Sequence, residues 1–455
     1  LKKIGLFLGP GLFVLVFALL SLQQADSAVI WTAAITCLTA TWWITEAIPI
    51  PAASLIPIAI LPLVGVLNPN DVAEAYGSPL ILLLLGGFIL STAMEKSGAH
   101  RRLALNMVRL FGGGGGRGLV FGFMAASAIL SMWISNTATV LMLLPIVLAI
   151  LEKSDNPQLK TSLLLGIAYA ASVGGLGTPI GTTPNLIFMR VYTETTGIEL
   201  TFTDWMTYAL PVVILLVPII GLWLTRKLGK AEALELPQVG QWRQEEIRTL
   251  LIFSITALAW ITRKEPFGGW SEWLGLTTAN DASVALSAVV IMFLVPNGKG
   301  GRLLDWKTAS TIPWGILLLF AGGITIAKAF NSSGISASLG DYLSGLQHLP
   351  ILLVIACLCL VVTFLTEITS NTATTALLMP ILAAAAVSSS TDPKLLMIPA
   401  ALTASCAFML PAATGPNAVV FSSNRLSIQQ MAKEGLILNF IGATIVSAVC
   451  YLLIV

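Results

Sequence analysis

Two five-residue strings are identical, Ser135-Asn136-Thr137-Ala138-Thr139 and Ser370-Asn371-Thr372-Ala373-Thr374, and they lie 235 positions apart. Each stands in the middle of a long apolar block, about 118–151 and about 349–387. Hydroxyls and amides in such a setting are hard ligands without formal charge. Asn offers a carbonyl oxygen to a cation and an NH2 to an anion, so one residue can face both. A second pair of polar strings follows. The first is Gly174-Gly175-Leu176-Gly177-Thr178-Pro179-Ile180-Gly181-Thr182-Thr183-Pro184-Asn185, the second Pro411-Ala412-Ala413-Thr414-Gly415-Pro416-Asn417. Gly and Pro at this density predict unwound helices with free carbonyls and hydroxyls. They form no nucleotide loop, since there is no strand context and no Gly-Lys-Ser/Thr. Pro-kinked helices packed through small residues are the plain alternative for any one string. Four strings in matched pairs argue for a binding site.

The elements that hold these strings must lie in a membrane. The chain has 455 residues, 56% hydrophobic and 10% charged, with mean hydropathy +0.89. Soluble domains carry about 25% charged residues. So few charges cover no water-facing surface and exclude a disordered chain. A net charge of +2 excludes nucleic-acid binding through a basic face. An all-α polytopic membrane protein remains. Lys2 and Lys3 precede an apolar run to about Leu22, too long for a signal peptide and read as the first span. Ten more follow at roughly 29–47, 52–67, 79–95, 161–190, 206–225, 247–262, 282–296, 313–328, 395–424 and 434–455, giving eleven. The blocks at 118–151 and 349–387 do not fit as single spans. Their halves fall short of the ~20 residues a crossing needs. Each reads as a re-entrant hairpin with Ser-Asn-Thr at its tip, near mid-membrane. Basic residues support this. If both hairpins return to the side they entered, only Arg190, Arg263, Lys264, Lys328 and Lys394 of the 24 lie on one face. The crowded face is then cytoplasmic, with the N-terminus inside and the C-terminus outside. The longest hydrophilic stretch, about 226–247, leaves no room for a soluble catalytic domain.

The strings belong to a larger repeat. Pro145 matches Pro380 at the same offset. Gly86-Gly87 matches Gly322-Gly323 and Ser97-Gly98 matches Ser333-Gly334, both at 236, while Thr182–Asn185 matches Thr414–Asn417 at 232. A unit of about 110 residues, roughly 79–190 and 313–422, is therefore duplicated. Its copies start at the fourth and ninth spans, so they are inverted. Inverted repeats with interrupted helices are typical of secondary transporters. The half-helix ending at a tip presents carbonyls to a cation, and the one starting there presents N–H groups to a carboxylate.

Paired Ser-Asn-Thr tips in inverted repeats, each followed by a Thr/Pro/Asn loop, resemble the divalent anion/sodium symporter family of INDY-type dicarboxylate transporters. The resemblance covers nearly the whole chain. It implies a homodimer and sodium-coupled uptake of C4-dicarboxylates such as succinate, malate and fumarate, or of citrate. It also implies an elevator. A scaffold would comprise 1–110 and 231–345, and a moving transport domain 111–230 and 346–455. Carried over by motif, one sodium site would use Ser131, Ser135 and Asn136 with backbone from Gly181. The second would use Thr366, Thr369 and Asn371 with backbone from Ala413. Ser131 and Ser135 share a helix face at i, i+4, and Thr366 is Ser131 plus 235. Substrate would lie between the tips, against Asn136, Thr137, Thr182, Thr183, Asn371, Thr372, Thr414 and Gly415. Thr183 and Gly415 break the symmetry, and Gly415 is expected to leave extra room. No Lys or Arg is expected near these residues, so sodium would balance a dianion.

Other residues carry weaker signals. Glu367 is an intramembrane carboxylate whose first-repeat counterpart is Met132, so it reads as a structural, hydrogen-bonded group more than a ligand. Glu46 reads as interfacial. The segment Glu95–Phe111 reads as an amphipathic surface helix, with a counterpart at about 331–347 and a flexible joint at Gly112–Gly116. Trp42, Trp43, Trp205, Trp270, Trp273 and Trp306 sit near span ends, as interface anchors do. Cys37, Cys357, Cys359, Cys406 and Cys450 read as small apolar residues, and His100 and His348 are too few for a His-based metal site. The competing functions are a sodium-independent exchanger, a carrier of another anion such as citrate or sulfate, a channel, or an intramembrane hydrolase. A channel needs a continuous polar pore, and a hydrolase needs a nucleophile beside a base. Neither arrangement is visible.

Overall fold

A computed structural model describes residues 2–111, 115–154, 156–229, 240–264, 268–335, 349–389 and 391–455. The described chain is helical, with one isolated bridge between Pro296 and Arg302. The first part of the chain holds α1 (Lys2–Leu22), α2 (Ser27–Thr45), α3 (Ile50–Leu63), α4 (Pro69–Tyr76), α5 (Pro79–Ser97) and α6 (Ala99–Phe111). The first hairpin is α7 (Gly116–Ser131) and α8 (Asn136–Leu151). An interrupted pair follows, α9 (Pro157–Gly174) and α10 (Thr183–Thr196), and then α11 (Phe202–Thr225). Next come α12 (Gln244–Ile261), α13 (Gly269–Trp273), α14 (Asp281–Leu294), α15 (Trp306–Ala309) and α16 (Trp314–Ser333). The second hairpin is α17 (Ile351–Ile368) and α18 (Asn371–Ser388), followed by the interrupted pair α19 (Pro393–Ala404) and α20 (Gly415–Phe421), and by α21 (Ile428–Ile454).

Local chemistry sets the ends. Ser78 accepts from the Ile81 N–H and Pro79 takes the first helical position, so α5 starts there. It stops at Gly98 with φ 74°, a left-handed cap that favours glycine. Gly334 ends α16 in the same way with φ 79°, so the repeat extends to its caps. Among the described residues, nine helices are long and apolar enough to cross a membrane. The sequence expectation was eleven, and the difference has physical causes. The helices α3 and α14 are 14 residues long, about 21 Å of rise. Three charges, Glu245, Glu246 and Arg248, crowd the first turns of α12. The 395–424 run is cut by ten non-helical residues, so neither α19 nor α20 qualifies alone. Both arms of the second hairpin, 18 residues each, do reach the length, and so are longer than the sequence reading allowed.

Packing repeats the internal symmetry. The first arm of each hairpin lies on the first half of its own broken helix, α7 on α9 and α17 on α19. The second half-helices cross over, with α10 on α18 and α20 on α8. Elsewhere α5 packs on α14, α12 on both, and α16 on α3.

Three sequence expectations need correction or fall outside the structure. Trp43 and Trp205 are fully buried and are not interface anchors. Trp43 donates to Ser54 Oγ and Trp205 to the Leu176 carbonyl, at 3.0 and 2.7 Å. Helix α6 is amphipathic as expected, but Arg102 turns inward. It pairs with Glu246 at 2.9 Å and donates to the Gly240 and Gln241 carbonyls, tying α6 to the start of α12. The second surface helix and most of the Gly112–Gly116 joint lie outside the described residues.

Candidate functional site

The hairpin tips are built alike. At the first, Ser131 Oγ contacts Asn136 Oδ1 and lies 2.7 Å from the Ala171 carbonyl. At the second, Thr366 Oγ1 lies 2.7 Å from Asn371 Oδ1 and 2.8 Å from the Ala404 carbonyl. Each hydroxyl has one proton and faces two acceptors. The surplus lone pairs make oxygen-rich, proton-poor clusters, which suit an alkali cation. A Cβ on Gly175 would fall 2.5 Å from Asn136 Oδ1, and one on Gly181 would fall 2.4 Å from the Gly175 carbonyl. Ser131, Asn136 and Gly181 are thus drawn together through Gly175. Ser135 and Ala413 lie on the cavity wall described below. Thr369 is used differently. Its hydroxyl bonds to the Leu365 carbonyl and to Thr374 Oγ1, and its first-repeat counterpart is Ile134.

The unwound loops are held by side chains that sequence reasoning missed. Asn185 Nδ2 donates to the Gly175 and Thr178 carbonyls at 3.0 and 2.7 Å. Asn417 Nδ2 donates to the Ala407 and Leu410 carbonyls, both at 3.0 Å. These Asn residues end the matched Thr/Pro/Asn strings, which was the available signal. Their Oδ1 atoms are buried with no hydrogen-bond partner among the described residues, again as a matched pair. Beyond this the repeats diverge. Loop one is pinned by Trp205 and by Thr178, which donates to the Met132 carbonyl. Loop two is pinned by Glu367. Its carboxylate accepts the Phe408, Met409 and Leu410 N–H groups at 2.7, 2.8 and 2.9 Å, and Asn439 Nδ2 at 2.7 Å.

The tips also meet across the repeats. Thr183 and Thr372 hydroxyls lie 2.6 Å apart. At the equivalent place a Cβ on Gly415 would fall 2.1 Å from Thr137 Oγ1. Gly415 therefore leaves no extra room, because the Thr137 hydroxyl fills it. Between the tips lies a cavity of about 390 Å³, within the usual small-molecule range of about 300–1,000 Å³. Asn136, Thr137, Thr182, Thr183, Asn371, Thr372, Thr414 and Gly415 all line it. Ser131, Thr366 and Thr369 are not on its wall. The first residues of α8, α10, α18 and α20 all face this space, so partly positive helix ends converge on it. Trp133 closes one side and stacks on Phe202 and Trp260. Part of the wall follows α5 from Leu84 to Glu95, and Thr311–Pro313 also line the cavity. The cavity thus reaches the Lys96 end of α5. Among the described residues, no Lys or Arg lines it.

Comparison with known proteins agrees with this geometry. Residues 40–395 match the family described as "Citrate transporter". The chain is 38% identical to a sodium-dependent dicarboxylate transporter, SdcS, of Staphylococcus saprophyticus, over 100% of this chain and 91% of that one. It is 39% identical to the SdcS of Staphylococcus aureus over 99% and 91%. The chain belongs to the divalent anion/sodium symporter family. Solved structures extend the likeness at the level of fold. The YdaH transporter of Alcanivorax borkumensis matches with a TM-score of 0.57 at 14% identity, covering 84% of this chain and 86% of that one. MtrF of Neisseria gonorrhoeae matches with a TM-score of 0.51 at 13% identity, covering 87% and 84%. For a divalent anion/sodium symporter, a cavity lined by amides, hydroxyls and helix N-termini, with no basic side chain among the described residues, is the feature to explain.

Proposed function

We propose that this protein carries a C4-dicarboxylate, such as succinate, malate or fumarate, together with sodium ions across the cytoplasmic membrane by alternating access. It is a transporter and not an enzyme. One observation carries the reading: a cavity between two inverted tips, lined by four helix N-termini and, among the described residues, no Lys or Arg. N-terminal dipoles hold a carboxylate but do not neutralise a dianion. Sodium ions supply the rest. One is held at Ser131, Ser135, Asn136 and the Gly181 backbone, the other at Thr366, Asn371 and the Ala413 backbone, with Thr369 behind. At least two sodium ions travel with each substrate. Asn136 and Asn371 couple the two ligands, because each amide touches its cation cluster and the cavity. The substrate sits against Thr137, Thr182, Thr183, Thr372, Thr414 and Gly415.

The packing supports an elevator. Hairpins, broken helices, α11 and α21 form one interleaved body, while α1–α5, α12, α14 and α16 form its surround. This supports the reading of a scaffold of 1–110 and 231–345 and a moving domain of 111–230 and 346–455, and the homodimer is carried over from the family resemblance. The tips meet beside the breaks in α9–α10 and α19–α20, which supports re-entrant hairpins near mid-membrane. The basic end of α5 faces the cytoplasm, so the cavity opens inward, with the N-terminus inside and the C-terminus outside.

The test is uptake of labelled succinate into proteoliposomes under an inward sodium gradient, with choline in its place as control. Citrate is run beside it, because the family description names that acid. Sodium-driven uptake that disappears in Asn136→Ala and Asn371→Ala is expected. Uptake that ignores sodium and needs internal dicarboxylate would make the protein an exchanger instead.

A further inference from the structure

One side chain on the cavity wall carries a charge among the described residues, and its sign is that of the dianion, which it repels. Glu95 lines the cavity beside Ser91 and Thr92, on one face of α5. It is exposed. Lys96, the next residue, does not cancel it, because Lys96 is paired with Asp305. Higher on the same face, Gly87 packs against Ile180 of the first unwound loop. Eight residues of helix separate Gly87 from Glu95, so the carboxylate stands about 12 Å from the cavity floor. A departing dianion passes it.

We propose that Glu95 weakens dianion binding from the face toward which this cavity opens, and so helps to set a low affinity at the release side. The proposal rests on the dicarboxylate reading above. The internal repeat makes it one-sided. Gly98 and Gly334 are equivalent caps 236 positions apart, so the counterpart of Glu95 is Asn331, in the last turn of α16. Asn331 is neutral. When the site opens the other way, inverted symmetry puts the end of α16 where the end of α5 now stands, with the neutral Asn331 in the place of Glu95 and Lys328, paired with Glu74, in the place of Thr92. Gradients alone fix the equilibrium of transport. What a one-sided charge changes is the affinity on one face, leaving capture tight and release loose. At about 12 Å in water, repulsion between a carboxylate and a dianion amounts to about threefold in binding. Low-dielectric walls raise that figure and salt lowers it, so about threefold is the expected size.

The experiment compares right-side-out and inverted membrane vesicles from cells expressing wild type, Glu95→Gln, Glu95→Lys and Glu95→Asp. Each preparation gives the succinate KM at one face, with sodium present. Expected at the cytoplasmic face is a KM about threefold lower for Glu95→Gln and about tenfold lower for Glu95→Lys. The external KM should stay unchanged. Monomethyl succinate, with one charge, should respond about half as strongly on a logarithmic scale. Glu95→Asp keeps the charge and should keep both KM values, which separates charge from packing. KM values unchanged from wild type at both faces for Glu95→Gln and Glu95→Lys would overturn the proposal, as would an equal shift at both faces. Wild-type vesicles without sodium-dependent dicarboxylate flux would overturn the functional reading, and this inference with it.

Discussion

Glu367→Gln should separate the two proposed cation sites energetically. One carboxylate oxygen accepts Phe408 N–H, Met409 N–H and Asn439 Nδ2, and the other accepts Leu410 N–H. Glutamine keeps one oxygen for the first three donors and turns an NH2 against the fourth. Hydrogen bonds to a charged group contribute about 1.5–3 kcal/mol and neutral ones about 1, so three weakened bonds cost about 3 kcal/mol. The unpaired Leu410 N–H adds about 1–3 kcal/mol. Removing a buried charge returns part of this through desolvation, leaving roughly 2–4 kcal/mol against the ordered loop. That loop ends at Ala413 and Thr414. If about 2 kcal/mol of the cost falls on cation binding, the second site weakens by about 30-fold. The assay is sodium activation of succinate uptake, with thermal unfolding of the purified protein in sodium and in choline. Expected is a large rise in the sodium needed for half-maximal uptake and a smaller stabilisation by sodium. A variant with wild-type sodium activation and wild-type stabilisation would refute the claim that Glu367 orders this site. Glu367→Met, which imitates Met132 of the first repeat, leaves the Met409 and Leu410 N–H groups unpaired, with Phe408 N–H keeping only Asn439 Oδ1, and should yield little folded protein.

Other perturbations follow from single contacts. Ser131→Ala and Thr366→Val each remove one hydroxyl from one cluster, so either should lower the Hill coefficient for sodium while leaving the fold intact by circular dichroism. Gly415→Ser places a Cβ where Thr137 Oγ1 stands, 2.1 Å away, and should abolish uptake in a protein that still reaches the membrane. Thr183→Val and Thr372→Val, measured singly and together, should show a coupling of about 0.5–1.5 kcal/mol in sodium-dependent succinate binding, and additive effects would contradict the direct bond. The Lys96 ammonium beside Asp305 and the Thr308 N–H hold the Asp305 carboxyl at about 2, against 3.8 ordinarily. The folded value is the lower one, so its contribution is present above about pH 4 and fades as pH falls through about 2. Asp305→Asn should therefore leave the pH dependence of unfolding unchanged between pH 5 and 8.

The repeat made much of this site legible. An offset of 235 located both tips, and Gly and Pro marked both breaks, because backbone chemistry of that kind is written locally. Contacts between distant segments were not. Nothing around Gly415 shows that Thr137 fills the space of its missing side chain. Nothing around Trp205 shows that its indole reaches the Leu176 carbonyl, and its place near a span end suggested a lipid interface instead. Glu367 was legible as an anomaly, while the N–H groups that justify it lie some 40 residues away. Helix length was the other weak point. Hydropathy does not say where an apolar run is cut, so the arms of the second hairpin turned out long and α3 short.

The crossed contacts, Thr183 with Thr372 and Gly415 with Thr137, also bear on how the protein is made. Neither copy of the repeat can complete its own tip. Ribosomes add about 5–20 residues per second, so the first tip precedes the second by roughly 12–47 s. Throughout that interval Thr137 and Thr183 lack their partners from the second repeat, Gly415 and Thr372. A newborn half-protein must therefore be sheltered or hydrated until its mirror image arrives, and a chain truncated between the repeats should be recognised by quality control as unfinished.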